Sequence, residues 1–491
     1  MPARATTKKV SDMTDHKSTD AAEAPVIIPA PASKSLSHRY LIGAALADGE
    51  SRVRHTLESA DLERTRAILC EAGAKMEPLH ECEAGAAPTG WRVEGMSGAP
   101  RGGHGQPLSC NVGESGTTCR LLTAVLAAGE GLFRIHGEGR MHERPIGELC
   151  DVLVRLGAGV TWEGTAGCPP FLLQACGLAP SLADGVVRVG MESSSQYFSG
   201  LLLAAPMCPS PLTLELAGRK AVSWPYVGLT LQCLTDFGIR FRVSMRARLS
   251  DPWESLTGTA WRNLRDAAPG CLRVTVWPGA YRPGDYVVEG DWSGASYFLA
   301  AGALGPRPVR VEGLRADSLQ GDRAMLAILQ KMGARVKVEP DAVTVYPTEL
   351  HGVELDMGAC PDLVPTVAVL AAFAKGSTRV RNVAHLRLKE SDRIAAPAEE
   401  LAKAGVTVDA LSDGLLVSGM GGLAGHVRNR PDAPRLRDGV TLSAHNDHRM
   451  AMSLALLGLR DPELDVRARL DDPTVVRKSF PGFWELWSRL S

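Results

Sequence analysis

The chain has 491 residues, 45% hydrophobic and 22% charged, with 54 basic against 55 acidic side chains; it can bury a large core, and the near-zero charge provides no bulk field for nucleic acid or an anionic membrane. Eleven cysteines without a Cys-x-x-Cys pair or a secretory leader read as reduced thiols in a cytoplasmic protein rather than as a disulfide framework or a zinc site. Apolar runs such as 201–207 fall far short of the roughly 18 residues that a membrane span needs.

Taken in chain order, residues 1–24 are polar, mixed in charge and without apolar periodicity, the pattern of a disordered tail. Val26-Ile27-Ile28 reads as a short strand, which Pro29 and Pro31 turn into a first helix. From there one pattern recurs: small, hydroxylated or charged residues open directly into an apolar helix. Ser33-Lys34-Ser35 leads into 40–47, and Gly113-Glu114-Ser115-Gly116-Thr117-Thr118-Cys119-Arg120 into an Ala- and Leu-rich run that stops by Gly131. Glu192-Ser193-Ser194-Ser195-Gln196 leads into 197–205, Asp291-Trp292-Ser293 into 295–304, Pro361-Asp362 into 364–374, and Asn446-Asp447-His448-Arg449 into 450–457. Such an opening gathers free backbone N–H groups and the positive end of a helix dipole at one point, which suits an anion. The openings are spaced by roughly 81, 78, 99, 71 and 84 residues, which implies six copies of one unit.

Between them lie amphipathic helices that end in Gly, at 60–73, 146–157, 226–238, 322–333 and 395–405, with 481–490 as a truncated last copy. Alternating stretches such as Arg335-Val336-Lys337-Val338 follow as strands. Each unit is therefore helix, strand, helix and one or more strands, an α/β architecture. Pro397 places the start of its helix only to within a turn. The stretch 244–279, with Arg246, Arg248, Trp253, Trp261 and Arg262, reads as a surface insertion rather than a nucleic-acid contact, and 419–438 as a solvated loop.

Cations concentrate at the openings. Lys34 and Arg39 flank the first, Arg120 lies inside the second, Arg140 and Arg144 precede the helix at Ile146, and Arg449 and Lys478 serve the sixth. The densest cluster is Arg387-Leu388-Lys389-Glu390-Ser391-Asp392-Arg393. Any one of these alone reads as a solvated face; if the units converge, they surround one site for a small, multiply anionic ligand. No Gly-x-x-x-x-Gly-Lys-Ser/Thr loop is present, so ATP is not the implied phosphate donor. His445-x-x-His448 lacks an evident third ligand, so neither metal nor cofactor is expected.

The motifs as a set resemble those of the 5-enolpyruvylshikimate-3-phosphate synthase family. They are Pro31-Ala32-Ser33-Lys34-Ser35-Leu36-Ser37-His38-Arg39, the 113–120 opening, Glu143-Arg144-Pro145-Ile146, Ser194-Ser195-Gln196, Val222-Ser223-Trp224-Pro225-Tyr226, Glu289-Gly290-Asp291, Leu388-Lys389-Glu390-Ser391-Asp392-Arg393 and Asn446-Asp447-His448-Arg449-Met450-Ala451-Met452, in the family's order from about residue 27 onward. The resemblance implies a two-domain inside-out α/β barrel of six repeated units, three per domain, one domain at 33–287 and the other at 25–32 plus 288–491. It implies enolpyruvyl transfer from phosphoenolpyruvate to the 5-hydroxyl of shikimate 3-phosphate by a monomer, with release of phosphate. Carried over position by position, Lys34, Ser35, Arg39, Ser194, Ser195, Gln196, Ser223, Asp362, His385 and Lys389 hold shikimate 3-phosphate, with Tyr226 near its ring. Lys34, Gly116, Arg144, Gln196, Arg393, Arg449 and Lys478 hold phosphoenolpyruvate. Asp362 serves as base toward the hydroxyl and Glu390 as acid at C3, with Lys34 as a rival participant.

Three positions depart from the family pattern: Glu114 for the common Asn, His385 for Asn, and Trp292 for Ala. Glu114 adds a carboxylate that weakens anion binding unless Arg120 or Arg140 pairs with it, and a cationic His385 helps hold phosphate at low pH. Two alternatives stay open: the sister transferase acting on UDP-N-acetylglucosamine, and a non-catalytic phospholigand-binding protein on the same scaffold. With like charges split between the halves, substrate is expected to draw them together.

Overall fold

The computed structural model describes residues 24–80, 89–179, 185–421, 439–460 and 465–490. All but the last residue of the expected tail, and most of the 419–438 loop, lie outside these ranges.

Each of the five sheets among the described residues holds one parallel strand pair beside antiparallel ones. In one, Leu108–Asn111 runs parallel to Glu130–His136, which pairs antiparallel with Phe171–Cys176, itself antiparallel to Gly159–Trp162. Parallel neighbours need a crossover, here the Gly116–Ala127 helix, so its first turn stands at the carboxyl end of the first strand. A second helix, Gly147–Arg155, then feeds the antiparallel pair. The parallel pairs of the other sheets are Asp285–Val287 with Glu50–Arg54, Val186–Met191 with Leu212–Ala221, Val26–Pro29 with Val309–Glu312, and Glu354–Asp356 with Lys375–Arg381. Around the sixth opening the described residues hold the His448–Leu454 helix and a single parallel bridge, Leu442 to Leu470.

The chain exchanges sheets twice. Val26–Pro29 pairs with Val309–Glu312, whereas the next helix, Lys34–Leu46, leads to Glu50–Arg54, whose parallel partner is Asp285–Val287. The two connecting segments lie side by side: Ser33 N donates to Glu289 O at 2.9 Å and Asp291 N to Pro31 O at 2.7 Å. One buried apolar cluster runs from Ala32 to Val288 with Leu319 added, and a second joins 26–30 to 292–490. Each fully buried Leu, Ile or Phe contributes about 1.5–3 kcal/mol, so each half carries its own core. Trp292 is wholly enclosed in the second.

The first opening helix starts at Lys34, six residues before the apolar run suggested it. Its early turns hide polar groups in the core, which erases the apolar period: His38 Nδ1 bonds Thr65 Oγ1 at 2.8 Å, and Arg39 Nε donates to Thr230 Oγ1 at 2.8 Å. The 244–279 stretch is narrower as an insertion than the spacing indicated, because Leu272–Val276 is a central strand of its sheet. Its Trp253 is flanked by Arg246 and Arg273, whose guanidinium carbons lie 4.4 and 4.1 Å from the ring centre. Pro397 falls in the first turn of Ala395–Lys403, where no intrahelical N–H is lost.

Candidate active site

Between the halves lies a cavity open to solvent, about 680 Å³ with its mouth included. Lys34 and Ser35 reach it from the first turn of Lys34–Leu46, Thr117 from Gly116–Ala127, and Arg144 from the turn before Gly147–Arg155. Ser193, Ser194, Ser195 and Gln196 enter at the third opening, and Ser223 and Tyr226 at the helix that follows. Ser223 adopts φ +56°, and its backbone N–H donates to Gly358 O across the cleft at 2.9 Å. The second half contributes Asp362, His385, Lys389, Glu390, Arg393, His448 and Arg449. Lys34, Arg144, Lys389 and Arg449, far apart in sequence, thus share one cavity.

The carboxylate of Asp362 accepts from Tyr226 Oη at 3.0 Å, Arg393 Nη1 at 3.0 Å and Arg449 Nη2 at 2.8 Å. Among the described residues no backbone N–H bonds it, so Asp362 is held by these side chains rather than serving as a helix cap. Glu390 accepts from Arg393 Nη2 at 2.7 Å and from Arg144 Nη1 at 3.3 Å, which makes its link to Arg393 part of a buried network rather than a surface pair. Arg393 is 2% exposed and also binds Asp447, itself at 0%, through Nε at 2.7 Å and Nη2 at 3.1 Å.

Burial alone would raise Asp362, but Arg449, Lys389 and Arg393 outweigh it and hold the carboxyl below its usual range. Burial likewise opposes Arg144 and Arg393 at Glu390, and the cations win. Both carboxylates are therefore ionised. Burial, with Arg393 and Arg144 adding to it, brings the Lys389 ammonium down to about 8. Burial, with Lys389 and Lys220, brings His385 down to about 3. The ring of His385 is neutral at ordinary pH, which corrects the expectation of a cationic His385 that helps at low pH. Both its nitrogens, His448 Nδ1 and Arg144 Nε are buried without a partner among the described residues, which leaves polar valence for a ligand.

Lys34, Ser35, Arg144, Ser194, Ser195, Gln196, Ser223, Asp362, His385, Lys389, Glu390, Arg393 and Arg449 all line the cavity. Arg39, Gly116 and Lys478 do not. The Arg39 guanidinium is spent inside the first half, on Thr230 Oγ1, Ser35 O at 2.8 Å, Ser199 Oγ and Tyr226 O at 3.0 Å; it braces the wall. Gly116 acts by lacking a side chain: a Cβ there would sit 2.3 Å from Arg144 Nη2 and 2.5 Å from Arg120 Nη1. Lys478 bonds Glu114 Oε2 at 2.5 Å and Asn446 O and Oδ1 at 2.8 Å each. Glu114 is thus neutralised by Lys478, not by Arg120 or Arg140. Arg120 Nη2 donates to Pro145 O at 2.9 Å and Arg140 Nη1 to Glu390 O at 3.1 Å.

His445 and His448 do not converge: His445 Nε2 bonds Glu400 at 2.9 Å, while His448 faces the cleft. Several contributors were not singled out by motif reading. Thr117 Oγ1 accepts from Gln196 Nε2 at 2.9 Å, Asp61 pairs with Lys34, and Asp447 anchors Arg393. Thr117 and Asp447 stood inside quoted motifs, but Asp61, in an ordinary amphipathic helix, carried no signal.

The model of the family described as EPSP synthase (3-phosphoshikimate 1-carboxyvinyltransferase) matches residues 21–269 and 266–487. A 3-phosphoshikimate 1-carboxyvinyltransferase of Thiobacillus denitrificans is 37% identical over 464 residues, covering 94% of this chain and 96% of the relative. One from Methanosphaerula palustris is 37% identical over 458 residues, covering 93% and 94%. Among solved structures, an EPSP synthase from Acinetobacter baumannii superposes with a TM-score of 0.66 at 24% identity, covering 95% of each chain. The enolpyruvyl transferase NikO from Streptomyces tendae gives 0.65 at 19% identity, covering 96% of this chain and 95% of that one. At these identities the structural matches speak for the α/β fold alone.

Proposed function

The chain belongs to the EPSP synthase family and transfers the enolpyruvyl group of phosphoenolpyruvate to shikimate 3-phosphate; from that premise we propose how its cleft does so. The five sheets and the sixth opening form an inside-out barrel of six units, divided into domains at 33–287 and at 25–32 plus 288–491. What supports this division is the pair of buried clusters and the side-by-side crossing at 30–33 and 288–291. The enzyme works as a cytoplasmic monomer; its described cysteines are all free, in keeping with a reducing compartment.

Ser194, Ser195, Gln196, Ser223, His385 and Lys389 hold shikimate 3-phosphate, and Lys34 reaches both ligands. Arg144, Gln196, Arg393 and Arg449 hold phosphoenolpyruvate, joined by Lys478 once it leaves its partners Glu114 and Asn446. Asp362, fixed by two guanidinium groups, takes the proton of the 5-hydroxyl as that oxygen attacks C2. Glu390 supplies the proton to C3, giving the tetrahedral intermediate. Because Glu390 is ionised, it must first take up a proton. Phosphoenolpyruvate brings negative charge that engages Arg144 and Arg393, weakening their hold and raising the carboxyl so that it takes a proton from water. In the second step the C–O bond to phosphate breaks, C3 returns its proton to Glu390, and the proton on Asp362 leaves with phosphate. Placing two anions side by side supplies much of the rate.

The observation that carries this reading is the convergence of Lys34, Arg144, Lys389 and Arg449 on a single cavity that also holds Asp362 and Glu390. The test is a coupled phosphate-release assay with phosphoenolpyruvate and either acceptor. Release with shikimate 3-phosphate is expected; release only with UDP-N-acetylglucosamine overturns the choice of acceptor, and tight binding without release overturns catalysis.

A further inference from the structure

Several contacts meet behind Arg144, at residues that do not themselves line the cavity. The Glu114 carboxylate accepts from Lys478 Nζ at 2.5 Å and from Asn446 Nδ2 at 3.0 and 3.3 Å, across 332 residues of sequence in the Asn446 case. The other two N–H groups of Lys478 go to Asn446 O and Oδ1. An ammonium has three donors, so Lys478 has none left for a ligand. The niche is shaped to admit this carboxylate: a Cβ at Gly139, where φ is +52°, would sit 2.7 Å from Glu114 Oε1. On the other side, His445 and Asn446 are both left-handed, φ +51° and +53°, and the bond from Asn446 O to Lys478 depends on that turn. Finally, the backbone oxygen of Glu114 accepts from Arg144 Nη1 at 3.0 Å. The same residue therefore touches the guanidinium that faces the cavity and the lysine that does not.

We propose that Glu114 is an internal anion that competes with phosphoenolpyruvate for Lys478 and thereby sets the affinity for the donor substrate. The inference rests on the reading of this cleft as a phosphoenolpyruvate site. With the donor absent, Glu114 occupies Lys478 and ties the 113–116 loop of the first half to the 445–478 region of the second. When the donor enters, its anionic groups can recruit Lys478 only as the contact with Glu114 is given up, so each binding event carries the cost of breaking that pair. Glu114 is a positioning residue: it touches neither reacting carbon and acts through Lys478. Shikimate 3-phosphate, held by the serine-rich wall and Lys389, is insulated from the exchange.

The experiment is a steady-state and calorimetric comparison of the full-length enzyme with Glu114→Gln, Glu114→Asp, Lys478→Met and the double variant Glu114→Gln/Lys478→Met. Glu114→Gln keeps the size and removes the charge. It is expected to lower KM for phosphoenolpyruvate about three- to fivefold, the range a partly exposed ion pair supports, with KM for shikimate 3-phosphate and the melting temperature unchanged. Glu114→Asp, still charged, stays nearer the wild type. In the Lys478→Met background the Glu114→Gln effect vanishes. Calorimetric titration of phosphoenolpyruvate into the enzyme without shikimate 3-phosphate reads the same shift without turnover, so an inactive wild type refutes the catalytic reading while the competition is still measured. The proposal is overturned if Glu114→Gln leaves or raises the donor KM and Kd, or if the improvement persists without Lys478; a merely structural Glu114 would instead lower the melting temperature and weaken both substrates.

Discussion

On the first-half wall of the cleft, the groups facing the cavity are mostly short and neutral: Ser35, Thr117, Ser194, Ser195, Gln196 and Ser223. On the second-half wall, Asp362, Glu390, Arg393, Asp447 and Arg449 share bonds in one ionised network. A hydroxyl or amide loses little on burial and can orient a sugar-like ring with single hydrogen bonds. Buried charges lose hydration and are tolerable only when each partner is present. The neutral wall therefore tolerates piecemeal change, whereas the ionised wall stands or falls as a unit.

Asp362→Asn breaks the contrast at its strongest point: kcat should fall about 100- to 10,000-fold in a phosphate-release assay. Ser194→Ala on the opposite wall should cost about tenfold or less in kcat/KM, the worth of one neutral hydrogen bond. Arg393→Met leaves Asp447 buried without its guanidinium, a loss of about 3–5 kcal/mol, read as a drop in melting temperature. If it melts like Ser194→Ala, the network is not what holds the second wall. A smaller effect lies in pH. Lys389 loses its charge as pH rises through about 8, so KM for shikimate 3-phosphate should climb severalfold between pH 7 and 9, and Lys389→Arg should remove the inflection. The smallest concerns His385. Burial first, then Lys389 and Lys220, keep its ring neutral down to about 3, whereas an unfolded ring takes a proton near 6.5. The unfolded chain thus binds more protons in that window, so stability falls as pH drops from about 6.5 toward 3. His385→Asn should flatten that part of a melting-temperature profile between pH 7 and 5.

How much of this was legible in the residues depends on where each signal lives. The openings at Gly116, Gln196 and Trp292 were legible because small polar residues next to an Ala- and Leu-rich run mark a helix start locally. Most of the lining residues lay within the quoted motifs. The start of Lys34–Leu46 was obscured because Ser37, His38 and Arg39 are buried and satisfied by partners from other segments, so the apolar period fails there. Arg39 and Lys478 illustrate the limit. Their residue type and position said cation near an anion site, but a guanidinium spent on Thr230 and Tyr226 and an ammonium spent on Glu114 and Asn446 depend on side chains far away in the chain.

The order of the helix openings, the helix-start chemistry and the family were therefore contained in the amino-acid sequence, because periodicity and capping act over a few neighbouring residues. Which cations face the cavity, which are neutralised inside the wall, and that Asp362 and Glu390 are ionised while Lys389 is poised near 8 were decided by the tertiary structure. Charge and hydrogen-bond valence are shared among groups that only folding brings within a few ångströms, and no local pattern records that sharing.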